Sequence, residues 1–262
     1  MILRRMLFVF AVFSIVSVAF TSVACGSRES DDGDDDAEKT VEPRDRDDDG
    51  IRDSRDDCPR EPEDKGLWGT DPRDGCPGTI DDLIGLARMD IDSFWEAQFD
   101  FEDILYDPPI TFEAYDTEIE TACGPALLNN AFYCSADHSI YYDSAFLKDQ
   151  LETNGDFAPV LIIAHEWGHL VQSLLGILGD EELLTIQTEL QADCLAGVWA
   201  ADANQREMLQ EGDFDEGIIA LFNVGDTRDT PFFDPSAHGT SGQRIDSFKD
   251  GFEAGLDACT LD

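Results

Sequence analysis

Two histidines and a glutamate lie close together in the middle of the chain. His165 and His169 are separated by three residues, and Glu166 directly follows the first histidine. On an α-helix the two imidazoles lie one turn apart on the same face, where both can bind one Zn²⁺ ion. Glu166 then lies beside them, where it can accept a proton from a water molecule that the metal activates. The spacing therefore predicts a zinc site with a general base.

A pair of histidines on an exposed helix surface would have the same spacing. However, residues 161–164 before the motif are apolar, and so are Leu170, Val171, Leu174 and Leu175 after it. An apolar stretch of this length favours a largely buried helix. We therefore expect both imidazoles to lie inside the protein, where a bound metal would satisfy them.

A catalytic zinc ion also needs a third protein ligand and an open position for water. Glu189 follows His169 by twenty residues, and the sequence predicts a second helix over residues 181–199 that carries it. Asp193 lies one helical turn beyond Glu189 and could accept the remaining N–H of a ligating imidazole, that of His165. Either acid alone could be one more surface carboxylate of an acidic protein. Their helical spacing, in a helix that follows the motif, favours Glu189 as a metal ligand and Asp193 as the partner of a ligating imidazole.

The elements around the motif predict an α+β domain with a small antiparallel sheet. Thr79 can cap a helix that extends to about residue 98, with its apolar residues largely on one face. Alternating apolar residues predict strands over 110–120 and 138–146. Residues 154–156 form a turn before the helix that carries the two histidines.

The chain from about residue 81 to its end resembles the neutral zinc metallopeptidase family of bacteria, a gluzincin-like group. The matching segments occur in the family's order; they are 122–124, 132–134, 140–143, 155–157, 165–169, 189–199, 224–226, 238–244 and 251–255. The resemblance implies a zincin-like domain over residues 79–262. It also implies one catalytic zinc ion bound by His165, His169 and Glu189, and an endopeptidase that acts on a protein or peptide substrate.

Amide hydrolysis by this mechanism requires a donor that stabilises the oxyanion in addition to the metal. His238 is the candidate, because it is one of two histidines outside the motif and lies in a glycine-containing loop that could cover the cleft. Arg244 and Tyr142 are the alternatives. A purely structural hydrogen bond would also account for a histidine in a loop, and we expect such a role for His138.

Residues 1–25 have the pattern of an export signal. Two arginines precede an apolar run over residues 6–23, which ends in small residues and Cys25. This end resembles the lipobox of bacterial lipoproteins, in which the cysteine is lipidated and becomes the mature N-terminus. The resemblance implies an exported protein that its lipid anchors to a membrane. A cleaved signal without lipid and a retained membrane anchor are the alternatives.

The cysteine count agrees with lipidation and with an oxidising compartment. Seven cysteines leave six once Cys25 is assigned to lipid, and six can pair completely. The positions of these cysteines along the chain favour the pairs Cys58–Cys76, Cys123–Cys134 and Cys194–Cys259.

The segment between the signal and the domain is dominated by aspartate. Residues 26–44 are predicted to be a disordered acidic linker. Residues 45–78 carry alternating aspartates and Cys-Pro pairs, and they resemble a thrombospondin type 3 calcium repeat. The resemblance implies Ca²⁺ ligands from the side chains of Asp45, Asp47, Asp49 and Asp56. Simple solvation of the charges is the alternative.

The charge of the chain excludes one large class of partners. Its 58 acidic and 17 basic residues give a formal net charge of −41, which would repel the phosphates of a nucleic acid. Two other functions remain open: a catalytically silent zinc- and calcium-binding surface lipoprotein that acts as an interaction module, and a calcium-dependent adhesion module. Glu166 argues against a silent module, since a structural zinc site needs no base.

Overall fold

The computed structural model describes residues 46, 52–55, 58, 60, 79–180, 182–226, 230, 234 and 237–261. The signal, Cys25 and Cys76 lie outside these residues, as do the predicted calcium ligands Asp45, Asp47, Asp49 and Asp56. Among the helices that are described, none combines the length and the apolar character needed to cross a bilayer.

From residue 80 onward the chain forms a mixed α+β domain. The helices are α1 (Ile80–Phe101), α2 (Ser144–Asn154), α3 (Phe157–Leu174), α4 (Thr185–Gln205), α5 (Asp213–Val224) and α6 (Ser241–Ala254), and a short 3₁₀ helix follows at Gly255–Ala258. The strands are β1 (Thr111–Tyr115), β2 (Ile119–Thr121), β3 (Gly124–Ala126), β4 (Ala131–Cys134) and β5 (Ser139–Asp143). This composition confirms the α+β prediction and fits a zincin-like domain.

The main sheet is mixed, so the prediction of an antiparallel sheet was wrong in part. Its strand order is β1-β5-β4. β4 and β5 form an antiparallel pair, whereas β1 and β5 are parallel. The parallel pair arises because the chain between β1 and β5 turns back through the small β2–β3 hairpin and β4 before it lies beside β1. Sequence alternation reports which face of a strand is buried, and it does not report the direction of its neighbour.

Two capping side chains explain where the first helices begin. The Thr79 side chain accepts from the backbone N–H of Asp82, and the Asp82 carboxylate accepts from the backbone N–H of Thr79 at 3.0 Å. Asp143 caps α2 by accepting from the N–H of Ala145 at 2.9 Å. The strand predicted over 138–146 therefore stops at Asp143. The strand predicted over 110–120 is interrupted after Tyr115, and β2 follows it.

Helix α3 carries the histidines and runs through the centre of the core. Fourteen of its 18 residues are buried, and it packs against α1, α2, α4, α5 and β4. Trp167 within the motif is fully buried, and its indole N–H donates to the hydroxyl of Tyr106 at 2.9 Å. Burial of each large apolar side chain contributes about 1.5–3 kcal/mol. The helix that presents the chemistry is therefore also held firmly by the core.

Helix α4 lies between α3 and α6 at very short distances, which glycines make possible. A Cβ atom on Gly197 of α4 would lie 2.1 Å from the Phe248 carbonyl oxygen in α6, and one on Gly251 of α6 would meet the carbonyl oxygen of Cys194. The disulfide Cys194–Cys259 joins α4 to the C-terminal segment. The second helix extends to Gln205, beyond the predicted end at residue 199.

Candidate metal centre

Three donor atoms from α3 and α4 converge at the centre of the domain; we call His165, His169 and Glu189 the donor cluster. The two Nε2 atoms are 3.1 Å apart. Oε2 of Glu189 is 3.4 Å from Nε2 of His165, and Oε1 is 3.4 Å from Nε2 of His169. Bonds of about 2.0–2.1 Å at tetrahedral angles place neighbouring ligand atoms about 3.3–3.4 Å apart. The three separations therefore fit one zinc ion.

The hydrogen bonds behind the two imidazoles direct their lone pairs toward this point. Nδ1 of His165 lies 2.8 Å from Oδ1 of Asp193, and Nδ1 of His169 lies 2.9 Å from Oε1 of Gln172. Both partners are acceptors, so Nδ1 donates in each ring and Nε2 of the neutral imidazole carries a lone pair. Two lone pairs and a carboxylate would repel one another without a cation between them. The chemistry of this donor set fits a divalent metal.

Asp193 is held by the guanidinium group of Arg244 as well as by His165. Arg244 donates to Asp193 with Nε and Nη2, each at 2.8 Å, and both side chains are buried. Burial opposes ionisation of Asp193, but Arg244 and His165 outweigh it and lower the pKa of its carboxyl. Arg244 is thus committed to Asp193, which weakens its alternative assignment as an oxyanion donor.

Glu166 lies beside the donor cluster with one oxygen fixed and the other free. Oε2 accepts the backbone N–H of Tyr133 in β4 at 2.8 Å. Oε1 makes no hydrogen bond to any described residue, and the side chain lines the cavity next to the cluster. Burial raises the pKa of Glu166, although both histidines of the cluster and the Tyr133 N–H act in the opposite direction. A carboxylate so placed can accept a proton.

A cavity of about 490 Å³ opens over the donor cluster and Glu166. One wall is β4, which is an edge strand of the described sheet and lines the cavity with Ala131, Phe132 and Tyr133. The opposite walls are mainly apolar and come from Phe146, Leu161, Ile162, Leu178, Ala220 and Leu221. The site therefore combines a polar centre with space for a ligand and an edge strand, of which the Tyr133 N–H already donates to Glu166.

Comparison with known proteins assigns the family. The family model described as "Putative neutral zinc metallopeptidase" matches residues 79–260, more than half of the chain. The chain belongs to this family. The resemblance inferred from the sequence motifs is confirmed in this respect, and membership implies a zinc cofactor, which the donor cluster fits.

Two relatives of the chain carry no functional description in their names. The chain is 37% identical over 183 residues to Uncharacterized protein YpfJ of Escherichia coli, covering 62% of this chain and 63% of the relative. It is 34% identical over 169 residues to Uncharacterized protein Rv2575 of Mycobacterium tuberculosis, covering 54% and 58% respectively. The chain thus spans less than two thirds of the length of either relative. No solved structure matches it significantly.

His238 and Tyr142, the other oxyanion candidates, have different surroundings in the structure. His238 lines the cavity, its side chain is 52% exposed, and its Nδ1 lies 3.7 Å from Oδ1 of Asp226. Tyr142 is buried in the core with its ring 5.1 Å from that of Phe112, and it is not part of the cavity lining. The alternative assignment to Tyr142 was therefore wrong, because alternation along β5 points this side chain into the core.

Two disulfides lie within the described residues. Cys123–Cys134 links the β2–β3 hairpin to β4, and Cys194–Cys259 holds the C-terminal segment. The pairing of Cys58 with Cys76 stays a prediction, because Cys76 is outside the described residues. His138, for which a structural role was expected, lies with Nδ1 2.7 Å from the hydroxyl of Tyr133.

Sequence reasoning missed two partners of the site, Gln172 and the backbone N–H of Tyr133. Gln172 lies three residues after His169, a spacing that puts it on the same face of α3. This helical spacing is visible in the sequence, but a glutamine in an apolar run does not reveal its hydrogen-bond partner. The Tyr133 contact joins residues 33 positions apart, and no local pattern reports it.

Proposed function

We propose that the chain is a zinc-dependent endopeptidase that hydrolyses peptide bonds of protein or peptide substrates. The observation that carries the proposal is the Oε1 atom of Glu166, which has no hydrogen bond to a described residue and lies beside three converging donor side chains in an open cavity. A zinc site with only a structural role is closed by four protein ligands and has no use for a base. The donor cluster has three members among the described residues.

The residues of the chain have separate tasks in the proposed reaction. His165, His169 and Glu189 would hold the zinc ion, which supplies a Lewis acid for the scissile carbonyl and activates water near neutral pH. Glu166 accepts the proton of the attacking water at Oε1, while the Tyr133 N–H keeps Oε2 in place. As the C–N bond breaks, the same carboxyl group can donate this proton to the nitrogen of the leaving amine.

An extended substrate fits the geometry of the cavity. The edge of β4 that faces the cavity can pair with a substrate backbone in the manner of an added strand, and the apolar walls can accept a side chain. His238 is our proposed oxyanion donor, since it lines the same cavity. Asp226 supports its loop by accepting the backbone N–H groups of His238 and Gly239 at 2.6 and 3.0 Å.

The export and calcium assignments are further proposals that rest on the sequence alone. We propose that Cys25 is lipidated and anchors an exported enzyme to a membrane, with the domain in an oxidising compartment. We also propose that Asp45, Asp47, Asp49 and Asp56 bind Ca²⁺ in the segment that connects the anchor to the domain.

Metal removal and restoration test the proposed function. The zinc-loaded chain is expected to cleave an unfolded protein substrate such as reduced casein, to lose this activity on dialysis against a zinc chelator, and to regain it when zinc is added back. Dialysis against buffer without chelator is the control. Cleavage that persists in the metal-free chain would contradict the proposal.

A further inference from the structure

A buried chain of amide groups connects His169 to the C-terminal segment. Gln172 is fully buried in α3, and Gln191 is 4% exposed in α4. Nε2 of Gln172 donates to the carbonyl oxygen of Thr188 at 2.6 Å and to Oε1 of Gln191 at 3.0 Å. Nε2 of Gln191 donates to the carbonyl oxygen of Cys259 at 2.8 Å. We call the Gln172 and Gln191 side chains the amide relay.

Two backbone carbonyl groups determine the direction of every hydrogen bond in the amide relay. A carbonyl oxygen can only accept, so the NH₂ group of Gln172 must face Thr188 and that of Gln191 must face Cys259. The oxygen of Gln172 is then left for His169, which lies 2.9 Å away. Nδ1 of His169 therefore has to donate, and the lone pair of the neutral ring is on Nε2, 3.4 Å from Oε1 of Glu189, where both atoms can bind the same metal ion.

The relay also connects the two metal-bearing helices at the level of the donor cluster. Thr188, whose carbonyl oxygen accepts from Gln172, directly precedes Glu189. At the far end, Cys259 is fixed to α4 through its disulfide with Cys194. The relay thus joins Gln172 on α3 to Thr188 and Gln191 on α4. Such a link restrains His169 and Glu189 relative to each other.

We infer that Gln172 and Gln191 are positioning residues for the metal: they fix His169 as an Nδ1–H imidazole and hold it in register with Glu189. The inference rests on the proposed function, since it assumes that the donor cluster binds zinc. It goes beyond that function because it assigns the orientation of one ligand to a network that ends at the C-terminal disulfide. Loss of an outer partner of a ligating histidine typically weakens metal binding about 10–100-fold.

A matched pair of substitutions at one position separates positioning from simple structural support. Gln172→Met keeps the size of the side chain and removes the acceptor for His169. Gln172→Glu keeps the acceptor but turns a donor group into an acceptor that faces the Thr188 carbonyl, which costs more stability because a buried oxygen then faces another oxygen. If Gln172 merely supports the fold, zinc affinity will follow stability and the glutamate variant will bind worst.

The test is zinc affinity of the full chain by chelator competition, together with the urea midpoint of the zinc-free chain. We expect Gln172→Met to bind zinc about 10–100-fold more weakly, and Gln172→Glu to bind more tightly than Gln172→Met although it unfolds at lower urea. Gln191→Met should weaken binding less than Gln172→Met, because Thr188 still orients Gln172. Leu83→Ala, a buried change in α1, is the control that lowers stability without changing zinc affinity.

The other outcomes contradict the amide relay, the proposed function or both. Zinc affinities that follow the order of stabilities, with Gln172→Glu lowest, would overturn the amide relay and leave the proposed function intact. Failure of the unchanged chain to bind zinc would overturn both. Tight zinc binding without any cleavage would contradict the peptidase proposal alone, since the relay concerns the metal and not the substrate.

Discussion

Gly168 in α3 lies against Ala192 in α4 so closely that a Cβ atom on Gly168 would be 2.8 Å from the carbonyl oxygen of Ala192. Both residues are inside their helices and one position from a functional group, His169 in the first case and Asp193 in the second. The short distance between the two helix backbones brings Glu189 to the histidines. A glycine within the motif is thus part of the geometry of the donor cluster.

We predict that Gly168→Ala weakens both the fold and the metal site. The added methyl group meets backbone atoms that cannot rotate away, and such overpacking costs about 1–3 kcal/mol. Because α4 must move away from α3, zinc affinity should fall together with the free energy of unfolding. The measurements are urea unfolding and chelator competition.

Gly85→Ala is the matched control for this change. Gly85 lies in α1 and has no atom within 4 Å of its Cβ position, so alanine should stabilise the helix by about 0.5–1 kcal/mol. Equal effects of the two substitutions would show that the contact between Gly168 and Ala192 does not constrain the helices.

The arrangement of α3 and α4 shows which features of the site the sequence can predict. The relation of His165 to His169, and of Glu189 to Asp193, follows from the period of a helix, and in the structure each pair does share a helix face. The contact between the two helices depends on two small residues, Gly168 and Ala192, that face each other. No local pattern reports which small residues meet, so only the family spacing suggested that Glu189 reaches the histidines.

The features that the sequence predicted wrongly depend on contacts between residues that are far apart along the chain. Residues 144–146 were included in a strand, but β5 ends at Asp143, whose carboxylate caps α2. Tyr142 was an alternative oxyanion donor, but its side chain is buried in the core. The parallel pairing of β1 with β5 depends on how 23 intervening residues, 116–138, return along the chain. These features are decided by tertiary packing.

The Asp193 carboxylate is predicted to be needed for both stability and zinc binding, because it accepts hydrogen bonds from the buried side chains of His165 and Arg244. Asp193→Asn leaves the Arg244 guanidinium without its counter-charge, and removal of one partner from such a buried pair costs about 3–5 kcal/mol. The change also weakens the hold on Nδ1 of His165, so zinc affinity should fall about 10–100-fold. Thermal unfolding and chelator competition measure the two effects.

Asp202→Asn is the control for charge removal. Asp202 pairs with Arg206 at 2.7 Å, but both side chains are about 40% exposed, and exposed pairs contribute at most about 1 kcal/mol. We expect a small loss of stability and unchanged zinc binding. A result for Asp193→Asn that is no larger than this control would contradict the role assigned to the buried pair.

The two disulfides are predicted to stabilise the domain to different extents. Cys194 and Cys259 are 65 residues apart, whereas Cys123 and Cys134 are 11 apart. The loop-entropy relation gives about 4 kcal/mol for the longer loop and about 3 kcal/mol for the shorter one. The urea midpoint should therefore fall further in the double variant Cys194→Ser/Cys259→Ser than in Cys123→Ser/Cys134→Ser. The reverse order would indicate that the C-terminal segment is held mainly by its other contacts.

Asp213 is predicted to make stability depend on pH. Its side chain is 2% exposed, and burial together with the nearby charge of Asp156 raises its pKa to about 6. The unfolded chain binds this proton with a pKa of about 3.9. The stabilisation from the bound proton is therefore complete below about pH 4 and is lost as the pH rises through about 6.

Asp213→Asn removes this dependence, because the amide stays neutral and can still accept from the N–H of Gln210, which Asp213 does at 2.9 Å. We expect the variant to be more stable than the unchanged chain by about 1–2 kcal/mol at pH 7, after allowance for solvent screening, and no more stable at about pH 4. Urea unfolding at both pH values measures the difference. Asp215→Asn, at an exposed neighbour, is the control. A difference that is the same at both pH values would contradict the raised pKa.

The role of Glu166 as the general base gives the most direct test of the proposed mechanism. The measurement is the rate of cleavage of an unfolded protein substrate by zinc-loaded Glu166→Gln and by the unchanged chain at equal zinc content, with Glu113→Gln at an exposed position of β1 as the control. We predict that the Glu166 variant binds one zinc ion per chain and loses at least about 10²-fold in kcat, whereas the control retains full activity. Undiminished cleavage by zinc-loaded Glu166→Gln would contradict the proposed mechanism.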